Sequence, residues 1–174
     1  MASTYFGDLY ADVGAHTTLI APAKRVSAGL SHGRKRYARV YFDPDEVVTI
    51  SSTIALKTFK SGDRIHSIKI SSTDCGSAGD IDLGLYTANS TYSGTAVDDN
   101  LFADALDVNA AALSQVDIFD EAALDDFDRG KTLWELLGLS ADPGLFYELT
   151  VVMVEASTDV AWEALFEIEY TSGD

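Results

Sequence analysis

Three histidines are the first candidates for acid–base chemistry in this sequence, since histidine titrates near neutral pH. His16 and His32 lie in an N-terminal stretch whose apolar residues are short and aperiodic. His66 alternates with Ile68 and Ile70, which places it on the apolar face of a predicted strand. A catalytic base needs convergent partners held on rigid elements, and none of the three has them in the sequence. We interpret His66 as a packed or edge histidine.

Cys75 is the only cysteine, and it lies in a stretch rich in Ser, Thr, Gly and Asp. A nucleophilic thiol needs a neighbouring base or cation that lowers its pKa, and this stretch offers none. A single cysteine forms no intramolecular disulfide and is too little for a zinc site. The sequence also contains no nucleophile elbow, phosphate loop or dinucleotide glycine pattern. We therefore predict an inert thiol and no enzyme activity.

Carboxylates are abundant, with 28 Asp and Glu residues, so calcium is the metal to consider. The candidate groups are Asp98 with Asp99, Asp125 with Asp126 and Asp128, and Asp80 with Asp82. Calcium takes about six to eight oxygen ligands, and none of these groups has the spacing of an EF-hand loop. No pair stands out as the two carboxylates of a glycosidase. Solvated acidic loops are the favoured interpretation, and no metal or cofactor is predicted.

Charge is strongly divided along the chain, whose net charge is −16 at pH 7. Residues 1–42 carry six basic and two acidic side chains, whereas residues 70–174 carry 22 acidic side chains against Arg129 and Lys131. An acidic body repels nucleic acid and anionic membranes, so neither is expected as a partner. The N-terminus shows no signal-peptide pattern, and no apolar run approaches the ~18 residues needed to span a bilayer.

Residues 1–36 are predicted to form an extended basic arm outside the folded domain, because their apolar residues have no period. Such an arm is typical of a segment that binds nucleic acid or a partner surface, but a solvated segment before the first strand is favoured over nucleic-acid binding. No aromatic residue is interleaved with the basic cluster, which argues against stacking on single-stranded nucleic acid. The basic candidates for partner binding are Lys24, Arg25, Arg34, Lys35, Arg36 and Arg39.

Residues 37–174 are predicted to form one β-rich domain, since most apolar residues there recur with a period of two. Strands are expected at residues 37–42, 46–51, 53–59, 64–71, 81–86, 113–119, 145–155 and 160–170. Helical spacing occurs at residues 101–106 and 132–137, and Gly138 is a plausible stop for the second. Residues 120–128 fit either a short helix or an exposed loop.

The last two apolar segments, residues 145–155 and 160–170, are expected at the centre of the fold. Only a short polar joint separates them, so an antiparallel hairpin is predicted. Trp162, Phe166 and Ile168 share the apolar face of the second segment and are the expected anchors of the core.

An all-β antiparallel sandwich with one or two short helices accounts for these elements, since about seven or eight short strands are connected by polar loops. A jelly roll is favoured because the strand number and the long crossover connections match it. An immunoglobulin-like topology stays open, although the Cys and Trp landmarks that would identify it are absent.

Five segments across roughly residues 60–170 carry a resemblance to a known group of proteins. They are Ser61-Gly62-Asp63-Arg64-Ile65, Ile81-Asp82-Leu83-Gly84-Leu85-Tyr86, Leu101-Phe102-Ala103-Asp104-Ala105-Leu106-Asp107-Val108, Tyr147-Glu148-Leu149-Thr150-Val151 and Glu167-Ile168-Glu169-Tyr170. Together they resemble small virion proteins of tailed bacteriophages, in particular the β-sandwich auxiliary proteins that decorate or cement the head. The basic N-terminal region is not part of the resemblance.

The resemblance implies a non-enzymatic protein that is made in the host cytoplasm and binds the outer surface of an assembled capsid. Its partners would be the major capsid protein and further copies of itself, most commonly as a homotrimer. We expect the six basic residues to contact neighbouring capsid subunits while the acidic body faces solvent, because opposite charges lie at the two ends of the sequence.

Two alternatives remain open at the level of the sequence. A carbohydrate- or receptor-binding β-sandwich would present exposed aromatic side chains on its loops, for which Tyr86, Tyr92 and Trp134 are the candidates. A structural component of the tail or neck would have the same general sequence character as a head protein.

Overall fold

The computed structural model describes residues 35–44, 47–89, 94–109, 111–159 and 161–173. Within them lie a single turn of 3₁₀ helix at Asp126–Asp128 and one short α-helix, α1 (Leu133–Leu136). No helix of these residues is long and apolar enough to cross a membrane. The strands are β1 (Lys35–Phe42), β2 (Thr53–Lys60), β3 (Arg64–Ser72), β4 (Asp80–Thr87), β5 (Ala96–Asp107), β6 (Leu113–Asp117), β7 (Phe146–Met153) and β8 (Ala164–Thr171).

Two four-stranded antiparallel sheets contain these strands. The first sheet has the order β1-β8-β3-β6 and the second sheet the order β2-β7-β4-β5. The chain changes sheet at every connection except β4–β5, so its strands interleave as in the two Greek keys of a jelly roll. The predicted antiparallel β-sandwich with jelly-roll topology is confirmed.

The core lies between the two sheets and is built from strand positions of alternating parity. Ile68 and Phe166 of the first sheet, and Leu83 and Leu149 of the second, are fully buried. The rings of Phe59 and Tyr170 meet edge to face across the sheets at 5.1 Å. The three predicted anchors, Trp162, Phe166 and Ile168, each have a relative exposure of 0%. The apolar alternation therefore predicted these three buried positions correctly.

The predicted hairpin of the last two strands is wrong, because β7 and β8 lie in different sheets. The polar joint between them crosses from one sheet to the other and is held by neighbouring loops. Ser157 exchanges hydrogen bonds with Val48, as its Oγ accepts from the Val48 N–H at 2.9 Å and its own N–H donates to the Val48 carbonyl at 3.0 Å. The Thr158 N–H donates to the Cys75 carbonyl. Alternation reveals which side of a strand is buried but not which strand lies beside it.

The helix predicted at residues 101–106 is also wrong, since these residues belong to β5. Three consecutive side chains, Leu101, Phe102 and Ala103, are buried. The β4–β5 pairing contains three register shifts, and Ala105 has a positive φ of 50°. Bulges of this kind interrupt the period of two, so the apolar residues of the strand take on a helix-like spacing.

The strand predicted at residues 46–51 is absent from the described part of that segment, residues 47–51. Val48 alone is buried there, while Val47 and Ile50 are exposed. The Ser52 N–H donates to the Thr49 carbonyl, which closes a turn before β2. The segment is a connection whose one apolar contact with the core is Val48.

The second helical prediction is confirmed by α1. Thr132 and Glu135 form a reciprocal capping box at its N-terminus, which satisfies backbone donors that a helix end leaves open. Gly138 follows the helix with a positive φ of 68°, a conformation that favours glycine over other residues.

Strand β1 begins at Lys35, so it includes the last two residues of the predicted arm. Lys35 and Arg36 pair with Thr171 and Tyr170 of β8 and so belong to the sandwich. The other residues of the predicted arm, 1–34, lie outside the described residues.

Replacing Phe166 with alanine tests the central position of β8. Phe166 is fully buried between Val40 of β1 and Ile70 of β3, so Phe166→Ala should lower the free energy of unfolding by about 3–5 kcal/mol. Phe127→Ala is the matched control, because Phe127 is 89% exposed and its loss should change the free energy by no more than about 0.5 kcal/mol. Urea unfolding followed by tryptophan fluorescence measures both, and equal losses would contradict the assignment of the core.

Candidate interaction surface

Cys75, the candidate nucleophile, is buried between loops. Its Sγ donates a hydrogen bond to the Ala78 carbonyl at 3.1 Å. Burial, and then the charges of Asp74 and Asp107, raises the pKa of the Cys75 thiol to about 11. A thiol in this state has little thiolate at neutral pH, in agreement with the predicted inert role.

His66 does not occupy the inner face predicted for it. A register shift beside it in the β3–β8 pairing changes the parity of the strand, so Ile68 and Ile70 are buried while His66 is half-buried. Its Nε2 lies 2.6 Å from the Thr171 hydroxyl. Burial, and then the charge of Lys35, lowers the pKa of His66 below its ordinary value. His66 is thus an edge histidine with a structural partner, and His16 and His32 lie outside the described residues.

The candidate acidic groups bind neighbouring backbone and side chains. Asp125 and Asp128 form a reciprocal capping box around the 3₁₀ turn. The Lys131 ammonium donates to Asp128 and lowers the pKa of that carboxyl. Asp82 accepts from the Ala105 N–H at 2.7 Å. Among the described residues, no group of three or more His, Cys, Asp or Glu side chains could hold a metal ion.

Arg129 is the centre of an ion-pair cluster beside the first sheet. Its guanidinium lies 3.1 Å from Asp117, 2.8 Å from Asp120 and 2.7 Å from Asp126. It also lies over the Phe119 ring at 4.7 Å and donates to the His66 carbonyl at 3.0 Å. The cluster connects the loop after β6 to the sheet, so its role is structural.

The six predicted partner-binding residues fall into two groups. Lys24, Arg25 and Arg34 lie outside the described residues. Lys35, Arg36 and Arg39 lie together on β1, an edge strand of the first sheet.

Two of these β1 cations have acidic partners on β8, and one does not. The Lys35 ammonium contacts Glu169, and the Arg39 Nε lies 3.8 Å from Glu167. Arg36 is exposed and has no ion pair within the described part of the chain. Because exposed pairs are weak and easily exchanged, all three cations are accessible to a partner.

The outer face of the first sheet carries a row of alternating charges. Arg39, Glu167, Lys69 and Asp117 lie directly opposite one another on the four successive strands. Cross-strand pairs of opposite sign favour this register. Hydrogen bonds from Tyr37 and then from Gln115 lower the pKa of Glu167, so the carboxylate in the row stays ionised.

Two exposed tyrosines flank this row on β1. Tyr37 and Tyr41 are each 60% exposed. A shallow depression of about 300 Å³ adjoins Tyr41 and is lined by Arg39, Ser71 and Glu163, among others. A hydrogen bond to Glu163, and then burial, raises the pKa of Tyr41 to about 12. Exposed tyrosine together with arginine is the composition typical of protein interfaces.

The sequence interpretation did not single out Tyr37 and Tyr41. The signal was present, because the apolar parity of β1 runs through Ala38, Val40 and Phe42 and leaves the two tyrosines on the opposite, outer face. Two of the three aromatic residues proposed for glycan binding are less exposed than these tyrosines. Tyr86 and Trp134 are half-buried, and Tyr92 lies outside the described residues.

The reactivity of Cys75 tests its buried environment. With a pKa of about 11, roughly one thiol in a thousand is ionised at pH 8. The folded protein should therefore react with an aromatic disulfide reagent far more slowly than the same chain in guanidinium chloride, where one thiol per chain should react. Rapid reaction of the folded protein would contradict the buried position.

Comparison with known proteins finds similarity in fold but not in sequence. No protein-family model matches the chain, and no curated protein matches it. A chain in the solved capsid of Ralstonia phage GP4 matches with a TM-score of 0.60 and 12% identity, over 82% of this chain and 86% of that chain. A chain of the cyanophage Pam1 capsid asymmetric unit matches with a TM-score of 0.46 and 12% identity, over 91% of this chain and 99% of that chain. The first match shows that this fold also occurs in a protein of a phage capsid.

Proposed function

We propose that this chain is a non-enzymatic structural protein of a tailed-bacteriophage virion that binds the outer surface of the assembled capsid as a decoration or cement protein. The observation that carries the proposal is the match in fold with a chain of the Ralstonia phage GP4 capsid. That match extends over most of both chains, so it concerns the whole sandwich and not a shared motif.

The side chains with catalytic potential support a structural role. Cys75 is buried with a raised pKa, and His66 is hydrogen-bonded at the edge of its strand. Arg129 is engaged in ion pairs with the three carboxylates around it. Each of these groups stabilises a loop or a strand, and a catalytic site would instead hold such groups toward a shared substrate position.

Charge supports the proposed orientation on the capsid. The basic residues cluster at the N-terminal end of the sequence and on β1, while residues 70–174 hold 22 acidic side chains. In the proposed arrangement, Lys24, Arg25 and Arg34 contact the major capsid protein and the acidic body faces solvent. A homotrimer would bring three such basic segments to one symmetry axis, where each reaches a different capsid subunit.

Fractionation of virus particles tests the proposed location. Virus particles purified from the organism whose genome encodes this protein should contain the protein. An antibody against the protein should detect it in the density-gradient fraction that holds DNA-filled heads. Gold-labelled antibody should decorate heads at many positions, because a decoration protein binds throughout the shell. Labelling confined to the tail or neck would contradict the decoration role, and absence from purified particles would contradict a virion protein altogether.

Truncation tests the contribution of the basic segment. A variant that begins at Lys35 keeps every described strand, so its circular dichroism should match that of the full chain. Its binding to particles stripped of this protein should fall by about tenfold or more at low salt, since several charge contacts are lost.

A full-length variant with Lys24, Arg25 and Arg34 changed to serine separates charge from length. It should bind as weakly as the truncated chain if the three cations make the contact. Undiminished binding by either variant would contradict the role proposed for this segment.

A further inference from the structure

The edges of the two sheets differ in their regularity. The edge strands are β1 and β6 in the first sheet and β2 and β5 in the second. Register shifts interrupt the pairing of β2 with β7, of β5 with β4 and of β6 with β3. Ala105 in β5 and Gln115 in β6 also have positive φ values. Bulges twist an edge and hinder the addition of a further strand.

Strand β1 is the regular edge among the described strands. Its eight residues pair with β8 from Lys35 to Phe42 without a register shift. No described strand pairs with its other side. A straight, unpaired edge presents a row of backbone donors and acceptors to which an extended chain can bind.

The inner face of β1 leaves apolar surface uncovered. Ala38, Val40 and Phe42 pack against the core but are only half-buried, because the sandwich ends at this strand. A strand added beside β1 would bury these side chains further if its own inward residues were apolar.

The charges of β1 indicate which polar side chains a binding partner would carry. The strand contains Lys35, Arg36 and Arg39 and no acidic residue, and Arg36 has no ion pair within the described residues. A second β1 in parallel register would place like charges side by side, which is unfavourable, and in antiparallel register it would leave Lys35 and Arg36 beside the uncharged residues 40–42 without an acidic partner. An incoming strand with acidic residues would complement these cations.

We propose that the outer edge of β1, with which no described strand pairs, binds an extended segment of a different protein chain, in which apolar residues alternate with acidic ones. The backbone of that segment continues the first sheet. Its apolar side chains cover Ala38, Val40 and Phe42 on the inner face, and its carboxylates lie opposite Lys35 and Arg39 on the outer face. Arg36 shares the parity of Ala38 but is exposed at the end of β1, so the segment ends there in a further acidic residue. The assignment of the segment to a capsid protein rests on the proposed function, whereas the chemistry of the edge does not.

A synthetic peptide tests the edge directly. The probe has the length of β1. It has valine at the positions opposite Ala38, Val40 and Phe42 and glutamate at the other positions, including those opposite Lys35 and Arg36. Hydrogen exchange of the full chain, followed by mass spectrometry, should show slower exchange in residues 35–42 when the peptide is added. Exchange in β2, β5 and β6 should not change. The same peptide with lysine in place of glutamate should give no protection.

Matched charge reversals test the electrostatic part. Arg36→Glu should weaken peptide binding by about fivefold at low salt, since an attraction is replaced by a repulsion. Lys60→Glu, at an exposed position of the edge strand β2 in the second sheet, makes the same change in net charge and should leave binding unchanged. Thermal unfolding of both variants confirms that each is folded before binding is compared.

Other occupants of the edge give distinct results. A concentration-dependent dimer of the chain alone, with β1 already protected, would assign the edge to a second copy and overturn the proposal. Faster exchange of β1 after removal of residues 1–34 would assign it to the chain's own N-terminal segment and overturn it equally. Equal protection by the lysine peptide would also overturn it. None of these results depends on whether the chain is found in virus particles, so the proposed function can fail separately.

Discussion

The structure depends on the burial of two apolar sheet faces against each other. The chain has no disulfide, because Cys75 is its only cysteine, so burial supplies the main stabilisation. Side chains such as Ile68, Phe166 and Leu83 are fully removed from water, and each contributes roughly 2–3 kcal/mol relative to exposure. The inner strands β8, β3, β7 and β4 carry most of these residues. The edge strands and loops pack against the apolar core that these four strands form.

The connections that cross between the sheets need polar partners, since a buried backbone group without one is destabilising. Asp63, which is 6% exposed, accepts from the N–H of Lys60 and from the N–H of Gly173, each at 2.9 Å. It thereby joins the β2–β3 turn to the segment after β8. Ser157 and Arg129 have the same function at other crossings. Polar side chains at these points are therefore part of the fold.

The strand positions and the buried faces could be predicted from the sequence because side chains alternate in a strand whatever its neighbours are. The partner of each strand could not be predicted. The sequence of β7 and β8 is typical of a hairpin, and only the structure shows that the segment between them crosses from one sheet to the other. Bulges set a second limit. Bulges in β5 gave the apolar residues around Leu101 a helix-like spacing. A register shift in β3 moved His66 away from the inner face of that strand. Of the candidate interaction surface, the basic residues were proposed from charge alone, whereas Tyr37 and Tyr41 became apparent only once the parity of β1 was known.

The pairing of β1 with β8 also determines when the first sheet can be completed during synthesis. These strands lie at opposite ends of the described chain, with Lys35 beside Thr171, and the order of the first sheet gives β1 no other partner among the described strands. During synthesis, β1 therefore leaves the ribosome roughly ten seconds before the strand it pairs with. During that interval, neither edge of β1 is paired with another described strand. Its like charges then repel the β1 strands of neighbouring nascent chains, and the cations at the edge protect the protein from aggregation before it has folded.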